Sequence, residues 1–406
     1  MSESDRTSRS PDEAPGGPTE ESDVVDEGHP PQAAWARCAD AAERAVLDRH
    51  VRPLLGLRWF QLGVVSWPTA WQHRLWLEWH YWWQAHLIDC AVDAHARDAT
   101  TERLTRIRRL TRGHRLRNLT GWTNSYFDDM AWLALALERA DRLADVRHRV
   151  GLSKLTLQLI NNWTERKVTP EGVVVRIGGL PWRKRDDFFN TPANGPATIL
   201  LARVGRIRRA EAMADWMHDV LRDEHSGLML DGVRPRGMAS EVYSYCQGVA
   251  IGAEVELAVR TGAEHHLERV ADLVRAVADR LTDDDGVING GGGGDGGLFN
   301  GILARYLALV ATDLPGDSPL AEVTRDLAGE IILASARAAW RNRIEIDDLP
   351  LFGHNWARPA TLPSGRLPVG GVTDGAITAS TVAERDMSVQ IGGWKLMEAA
   401  VRVAGR

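Results

Sequence analysis

The sequence has few residues of the kinds that hold disulfides or metal ions. Its 406 residues include only three cysteines, Cys38, Cys90 and Cys246, which form no Cys-x-x-Cys pair and have no paired histidines to complete a zinc site. This scarcity argues against a disulfide framework. We expect no bound metal and no cofactor.

Long apolar runs and a secretory signal are also missing. No segment approaches the roughly 20 apolar residues that a membrane-spanning helix needs, and the N-terminus lacks the basic and apolar sections of a signal peptide. Residues 1–31 are instead acidic and rich in Ser, Pro and Gly, which predicts a disordered leader. We expect residues 32–406 to form one domain and the protein to be cytoplasmic.

The net charge of −6 comes from the start of the chain. Residues 1–30 hold nine acids and two arginines, so the remainder is close to +1. A nearly neutral body argues against nucleic acid as a partner. Residues 97–117 hold eight arginines and two acids, and we interpret them as a solvated outer helix face, with phosphate or an anionic lipid headgroup as the alternative ligand.

Apolar residues recur at three- and four-residue spacing from residue 33 onward, which is typical of amphipathic helices. The pattern predicts twelve helices. They span approximately 34–50, 75–96, 100–112, 126–142, 144–166, 190–205, 206–224, 241–261, 265–281, 298–312, 318–340 and 381–403. Only residues 172–177 resemble a strand, as one arm of a small hairpin. The chain is therefore predicted to be all-α.

An amide followed by glycine opens three of these helices at a constant interval. The amides are Asn194, Gln247 and Asn300, 53 residues apart in both steps. A repeat of one helix pair indicates a helical array or a closed ring. Six such pairs predict an (α/α)6 barrel with a short β-hairpin and long loops at one end, where the openings of the inner helices share a pocket.

Two adjacent acids, Asp128 and Asp129, stand at the start of the fourth predicted helix. Ser125 and Asp128 fit a helix-capping pattern, so a purely structural role is one interpretation. Glycoside cleavage is the other, because it needs two carboxyl groups around one anomeric carbon, roughly 5 to 5.5 Å apart when configuration is retained. Adjacent side chains favour that shorter separation, but do not reveal which carboxyl is the proton donor.

The segment from Tyr126 to Ala136 resembles the Asp-Asp signature of glycoside hydrolase family 76, whose characterised members are endo-α-1,6-mannanases and related transglycosidases. The resemblance covers about residues 34–403. Its further matches are Trp82-Trp83-Gln84, Gly178-Gly179-Leu180-Pro181-Trp182, Asn194-Gly195, Tyr245-Cys246-Gln247-Gly248, the run from Gly296 to Leu307, and Trp340-Arg341-Asn342-Arg343.

The resemblance implies an (α/α)6 barrel and a retaining mechanism, with Asp128 as the nucleophile and Asp129 as the acid/base. It implies α-1,6-linked mannan or a mannosylated glycan as substrate, with transfer to another sugar as a further outcome. Two positions depart from the family pattern, because Cys246 replaces an Asn and Asn300 replaces a Lys. These departures bear on substrate or subsite preference.

Substrate binding is expected of aromatic and amide residues at the helix openings. The sequence has 16 Trp against 5 Tyr and 6 Phe. We expect Trp76 and Trp79 to pack in the core, and Trp82 or Trp83 to stack on a sugar face. The expected substrate-binding residues are Trp82, Trp83, Gln84, Asn124, Tyr126, Trp182, Asn194, Tyr245, Gln247, Phe299 and Asn300. The alternative for the amides is that they cap helices.

Two other functions stay open from the sequence. A helical terpene cyclase also carries an Asp-rich helix, but it needs a further acid four residues on, where this chain has Trp132 and Leu133. A non-catalytic glycan-binding protein would use the acid pair only to bind hydroxyls. The glycine run at 290–294 is interpreted as a flexible loop, because no Lys-Ser/Thr follows it as a phosphate-binding loop requires.

Overall fold

The computed structural model of the chain describes residues 31–168, 175–363, 370–373 and 376–406. The predicted leader lies outside these residues, apart from Pro31. Twelve long helices and one four-residue helix make up most of the described part. They are α1 (Gln32–His50), α2 (Trp71–Arg74), α3 (Tyr81–Arg97), α4 (Thr101–Arg117), α5 (Phe127–Ala144), α6 (Arg149–Asn161), α7 (Thr191–Arg203), α8 (Ile207–Leu221), α9 (Ser244–Thr261), α10 (Glu264–Leu281), α11 (Gly296–Asp313), α12 (Pro319–Arg341) and α13 (Met387–Ala404).

Six of the helices form a closed inner ring, in the order α3, α5, α7, α9, α11 and α13, with α13 packing back on α3. The helices α1, α4, α6, α8, α10 and α12 pack on the outside of this ring. Inner helices are enclosed on nearly all sides, and in α7 every residue but the last is buried. The predicted all-α fold and (α/α)6 barrel are confirmed, with the three amide-opened helices inside the ring.

Eleven short strands accompany the helices in the described part of the chain, where the sequence predicted one hairpin. They are β1 (Val51–Leu54), β2 (Leu57–Gly63), β3 (Thr164–Val168), β4 (Val175–Gly179), β5 (Phe189–Asn190), β6 (Gly232–Arg234), β7 (Gly237–Ala239), β8 (Ile344–Ile346), β9 (Leu349–Leu351), β10 (Val372–Thr373) and β11 (Ala376–Ile377). All pair antiparallel, in four hairpins and one three-stranded sheet. The predicted strand at 172–177 is β4 from Val175 onward, paired with β3, and its first three residues lie outside the described part. Strands of two to seven residues are too short to show a clear alternation in the sequence.

Three predicted helices begin five or six residues later than expected, at Tyr81, Arg149 and Met387, and the end of the predicted helix 144–166 lies in β3. The segment 75–80 is not part of α3, because Trp76 and His80 have positive φ angles of 50° and 45° that break the helical path. Trp76 is nevertheless buried, and Trp79 packs against it, so both tryptophans pack in the core as predicted. None of the described helices is both long and apolar enough to cross a membrane.

The two ends of the ring differ. Every connection from an inner to the next outer helix is short, whereas those from an outer to the next inner helix carry the small sheets and loops. The last turns of all six inner helices surround a cavity of about 560 Å³ at the opposite end. Arginines occupy the last turns of five of these six helices, all but α11, where the negative end of the helix dipole favours them; they are Arg97, Arg142, Arg203, Arg260 and Arg402.

A buried ion network fills the ring between its two ends. Asp89 on α3 accepts hydrogen bonds from Arg139 and from Lys395, whose ammonium lies 3.0 Å away. Arg305 contacts both Asp89 and Asp93. Three cations thus share two carboxylates, and their charges hold the pKa of Asp89 well below its usual value against the opposing effect of burial.

Removing the carboxylate should cost far more stability than removing the ammonium. We expect Asp89→Asn to lower the free energy of unfolding by about 3–5 kcal/mol, because Lys395 would be left as a buried, unpaired charge. Lys395→Met should cost much less, since the remaining two arginines still neutralise two carboxylates. Urea denaturation followed by tryptophan fluorescence measures both. Equal losses in the two variants would contradict this account.

Candidate functional site

The acid pair is presented by the first turn of α5, and a neighbouring loop fixes where that helix starts. Tyr126 precedes the helix in an extended conformation and bridges to Arg183. The backbone N–H of Phe127 donates to the carbonyl of Trp182 at 2.9 Å. The strand-like contact therefore aligns Trp182 with the two carboxyl groups.

Asp128 has two N–H donors. The indole Nε1 of Trp182 donates to its Oδ2 at 2.9 Å, and the backbone N–H of Asp129 donates to its Oδ1 at 2.9 Å. Burial raises the pKa of Asp128, and these donors oppose that rise because they stabilise the ionised form. Between the two acids, Asp128 is the one equipped to lose its proton first.

Asp129 has a different environment. Its Oδ2 accepts a short hydrogen bond from the side-chain amide of Asn124, whose own Oδ1 accepts the N–H of Tyr126. Burial raises the pKa of Asp129 well above its usual value, and the negative charge of Asp128 raises it further. The pair therefore favours a state with Asp128 ionised and Asp129 protonated.

A third carboxyl, Asp295, links α11 to the opening of α3. It accepts the indole N–H groups of Trp82 and Trp83, each at 2.9 Å, and the backbone N–H of Ile377 at 2.7 Å. Burial raises its pKa to about 6 in spite of these donors. It lies close to the acid pair, because Trp82, which it binds, stacks on Trp132 of α5 at 6.4 Å, and its charge contributes to the raised pKa values of both Asp128 and Asp129.

Asp231 is a fourth carboxyl of the site. It lies just before β6, where its backbone N–H donates to the carbonyl of Glu241. Burial raises its pKa to about 7, with further contributions from the charges of Glu241 and Asp128. Four carboxyl groups thus converge on the N-terminal end of the ring.

Aromatic rings border these carboxyls on two sides. Tyr126 and Trp182 meet edge to face at 5.2 Å. Tyr245 and Phe299, which open α9 and α11, stack at 4.0 Å with an interplanar angle of 14°. All four rings remain partly exposed. Such faces are suited to the apolar side of a sugar ring.

The expected binding amides serve a different purpose. Gln84 accepts the backbone N–H of Gly63 and donates to the carbonyl of the same residue, at 2.8 and 2.9 Å. Asn194 does the same to Leu180, at 2.7 and 2.8 Å.

Two further inner helices repeat the arrangement. Gln247 binds both backbone groups of Met229, and Gln390 binds both of Phe352. We call these four contacts the amide clamps. Each fastens the preceding loop to the start of an inner helix.

Three of the residues expected to bind substrate are instead part of the amide clamps. Gln84, Asn194 and Gln247 are buried, and their hydrogen-bonding groups are used within the fold. Trp83 is also fully buried, whereas Trp82 is partly exposed beside Trp132, at 6.4 Å between ring centroids. Trp82 is therefore the better placed of the two tryptophans to meet a sugar.

The two departures from the family pattern are buried as well. Asn300 accepts from the hydroxyl of Ser244 at 2.6 Å and donates to the carbonyl of Asn289 at 3.3 Å. Cys246 has no exposed surface, and burial raises the pKa of its thiol well above its usual value. Neither side chain reaches the surface of the site.

Sequence reasoning missed Asp231 and Asp295. Neither belongs to a local motif of two acids, and Asp295 follows the glycine run that was interpreted as a flexible loop. Part of the run is instead tightly packed, since a Cβ on Gly291 would lie 2.0 Å from the carbonyl of His354 and one on Gly294 would lie 2.1 Å from that of Ile377, whereas Gly290 has open space around it. The sequence signal that could have identified Asp295 was its position directly after the glycine run.

Comparison with known families decides the classification. The sequence model of glycosyl hydrolase family 76 matches residues 61–381, most of the chain and all four carboxyls. The chain belongs to glycosyl hydrolase family 76. No match was found among curated proteins.

Solved structures of family 76 share the fold of this chain. An α-1,6-mannanase of the family from Salegentibacter sp. HEL1_6 is 24% identical, with a TM-score of 0.73 over 90% of this chain and 98% of that one. An inactive variant of that mannanase was solved in complex with α-1,6-mannotriose. A family 76 mannosidase from Bacteroides thetaiotaomicron VPI-5482 is 16% identical, with a TM-score of 0.69 over 92% and 99% of the two chains. Dfg5 from Chaetomium thermophilum is 14% identical, with a TM-score of 0.68 over 93% and 92%.

Replacing Trp182 by Phe should move the acid limb of the pH profile upward. The variant keeps a ring against Tyr126 but loses the N–H that stabilises ionised Asp128, so the pKa of Asp128 should rise by about one unit. The pH dependence of kcat/KM for glycoside hydrolysis measures the change. Trp163→Phe is the matched control, because its Nε1 is buried without a hydrogen-bond partner. An unmoved acid limb in Trp182→Phe would contradict the role given to this donor.

Proposed function

We propose that the protein is a retaining glycosidase that cleaves α-1,6-linked mannan or a related mannosylated glycan. The observation that carries the proposal is the unequal environment of two adjacent carboxyls. Asp128 has two N–H donors, whereas Asp129 is kept protonated by burial and by the charge of its neighbour. The mannan preference rests on the α-1,6-mannotriose complex of the related mannanase.

The reaction would proceed in two displacements. Ionised Asp128 attacks the anomeric carbon while Asp129 gives its proton to the departing glycosidic oxygen, which leaves a glycosyl ester on Asp128. Asp129, now ionised, takes a proton from water as the water attacks the same carbon and releases Asp128. A sugar hydroxyl in place of water would give transfer, which we propose as a secondary outcome.

The surroundings of the pair support this division of roles. Tyr245, Phe299 and Trp82 supply ring faces for flanking sugars. Asp231 and Asp295 are acceptors for sugar hydroxyls, and the charge of Asp295 adds to the raised pKa of Asp129. The cytoplasmic location and the single domain stay predictions. Cell fractionation tests the location, and limited proteolysis tests whether residues 32–406 form one domain.

Asp128→Asn should abolish cleavage of linear α-1,6-mannan. The amide cannot form the glycosyl ester, so we expect kcat to fall by at least about a thousandfold. Oligosaccharide release measured by chromatography reports the loss. Asp141→Asn, on the same helix and away from the site, is the matched control and should keep full activity. Wild-type rates in Asp128→Asn would refute the proposed mechanism, and mannan binding without product by the wild type would favour a glycan-binding protein.

The loss of activity in Asp129→Asn should depend on the leaving group of the substrate. Loss of the proton donor should lower kcat/KM on mannan by about 10²–10⁴-fold. An aryl α-mannoside with an acidic phenol needs no proton to depart, so its glycosylation step should lose much less. Nuclear magnetic resonance of the first product should show the α anomer in the wild type. Equal losses on both substrates, or an initial β product, would contradict the assignment.

A further inference from the structure

Three segments at the N-terminal end of the ring present large apolar side chains to solvent. The β1–β2 hairpin exposes Leu55, Leu57 and Trp59. The segment 71–77 exposes Trp71 (64%), Leu75 and Leu77, and the end of α4 is followed by Leu119 (89%). An exposed apolar surface of this kind marks an interaction site more often than chance.

These three segments pack on one another at the same end of the ring. Leu54 and Leu62 of the hairpin form a small core with Trp76, and Leu116 of α4 packs on it. The guanidinium of Arg117 donates to the carbonyl of Trp76 at 2.9 Å. We call the outer surface of residues 51–63, 71–77 and 106–119 the Trp-Arg face.

The Trp-Arg face is strongly basic, and the acids that contact it lie at its edges, where Glu78 contacts His73 and Glu102 pairs with Arg106. Its sequence contains Arg at nine positions and neither Asp nor Glu. Among the described residues, no carboxylate lies within ion-pair distance of Arg58, Arg74, Arg108, Arg112 or Arg115. Elsewhere on the outer helices, arginines such as Arg103 and Arg269 are paired with acids.

Trp59 is close to two arginines of the face. The guanidinium of Arg58 is 5.2 Å from the centre of its ring, and that of Arg109 is 5.8 Å away. An indole beside guanidinium groups is suited to the boundary between lipid headgroups and acyl chains, where the ring is partly desolvated and the cations meet phosphates.

We propose that the Trp-Arg face docks on an anionic lipid surface. Its leucines and tryptophans would enter the headgroup boundary, and its unpaired arginines would bind lipid phosphates. A second copy of the chain fits this face poorly, because the contact would bring two sets of arginines together. The acidic residues 1–30 offer charge but few large apolar side chains, with only Met1, Val24 and Val25.

The Trp-Arg face and the acid pair lie at the same end of the ring. The hairpin and the segment 71–77 belong to the connection that leads into α3, and the hydroxyl of Tyr81 at the start of α3 donates to the carbonyl of Trp122, shortly before the acid pair. The carboxyls therefore open at the same end of the ring as the Trp-Arg face. Docking would bring the site close to glycans carried by lipids, although vesicle binding itself does not depend on the proposed glycosidase activity.

Flotation of the full chain with vesicles tests the proposal. We expect binding to phosphatidylcholine vesicles that contain about one-third phosphatidylglycerol, little binding to phosphatidylcholine alone, and weakening but not complete loss as salt is raised. Absence of binding to the anionic vesicles, or equal binding to both kinds, would overturn the proposal.

Two double variants separate the apolar and the charged contributions. Trp71→Ser with Leu77→Ser and Arg58→Glu with Arg112→Glu should each weaken vesicle binding by at least about tenfold. The matched controls are Val150→Ser with Leu157→Ser on α6 and Arg280→Glu on α10, all exposed positions outside the face. Circular dichroism checks that each variant is folded.

The same variants distinguish the competing occupants. If the face variants bind vesicles as tightly as the controls, the proposal is wrong. If sedimentation instead shows a wild-type dimer that the face variants lose, and no vesicle binds, a second copy covers the face and the lipid proposal is also wrong.

Discussion

The common direction of the six inner helices is the constraint on which the rest of this structure depends. Because each inner helix follows an outer one, all six N-termini meet at one end and all six C-termini at the other. The aligned dipoles favour negative groups at the first end and positive groups at the second. The side chains follow this polarity, since Asp128, Asp129 and Asp295 lie at helix openings and arginines occupy the last turns of five of the six inner helices.

The chemistry of the acid pair depends on what surrounds it as much as on the pair itself. Its hydrogen-bond donors are neutral groups, the indole of Trp182, the amide of Asn124 and the backbone of Asp129. A guanidinium in any of these places would lower both pKa values and leave neither carboxyl protonated near neutrality. The cations inside the ring instead belong to the network around Asp89 and Asp93, next to Trp132 and His86.

The fold could be predicted from the sequence because it repeats. Helical periodicity and the interval of 53 residues between amides both indicate a repeating pair of helices. Twelve predicted helices make six such pairs, which is the number in an (α/α)6 barrel. Helix boundaries were less predictable where a backbone of positive φ interrupts an apolar run, as at Trp76 and His80. The short strands were missed because two to seven residues show too little pattern.

The site was predictable only where its residues are adjacent in the chain. Asp128 and Asp129 form a recognisable pair, and the family motifs include Tyr126, Trp182, Tyr245 and Phe299. Asp231 and Asp295 are distant from the pair in the sequence, and only the fold brings them near it. The amides were recognised correctly as a repeat, but their burial in the clamps is a property of the tertiary structure that spacing does not contain.

The amide clamps also bear on how such a ring could diversify. Each clamp recognises a backbone N–H and C=O, which every residue except proline provides, so it places no demand on the identity of the loop residue that it holds. A connection could therefore be exchanged for one of different length and sequence while its attachment to the helix stayed the same. Recombining loops above unchanged helices is a practical route to altered glycan selectivity on this scaffold.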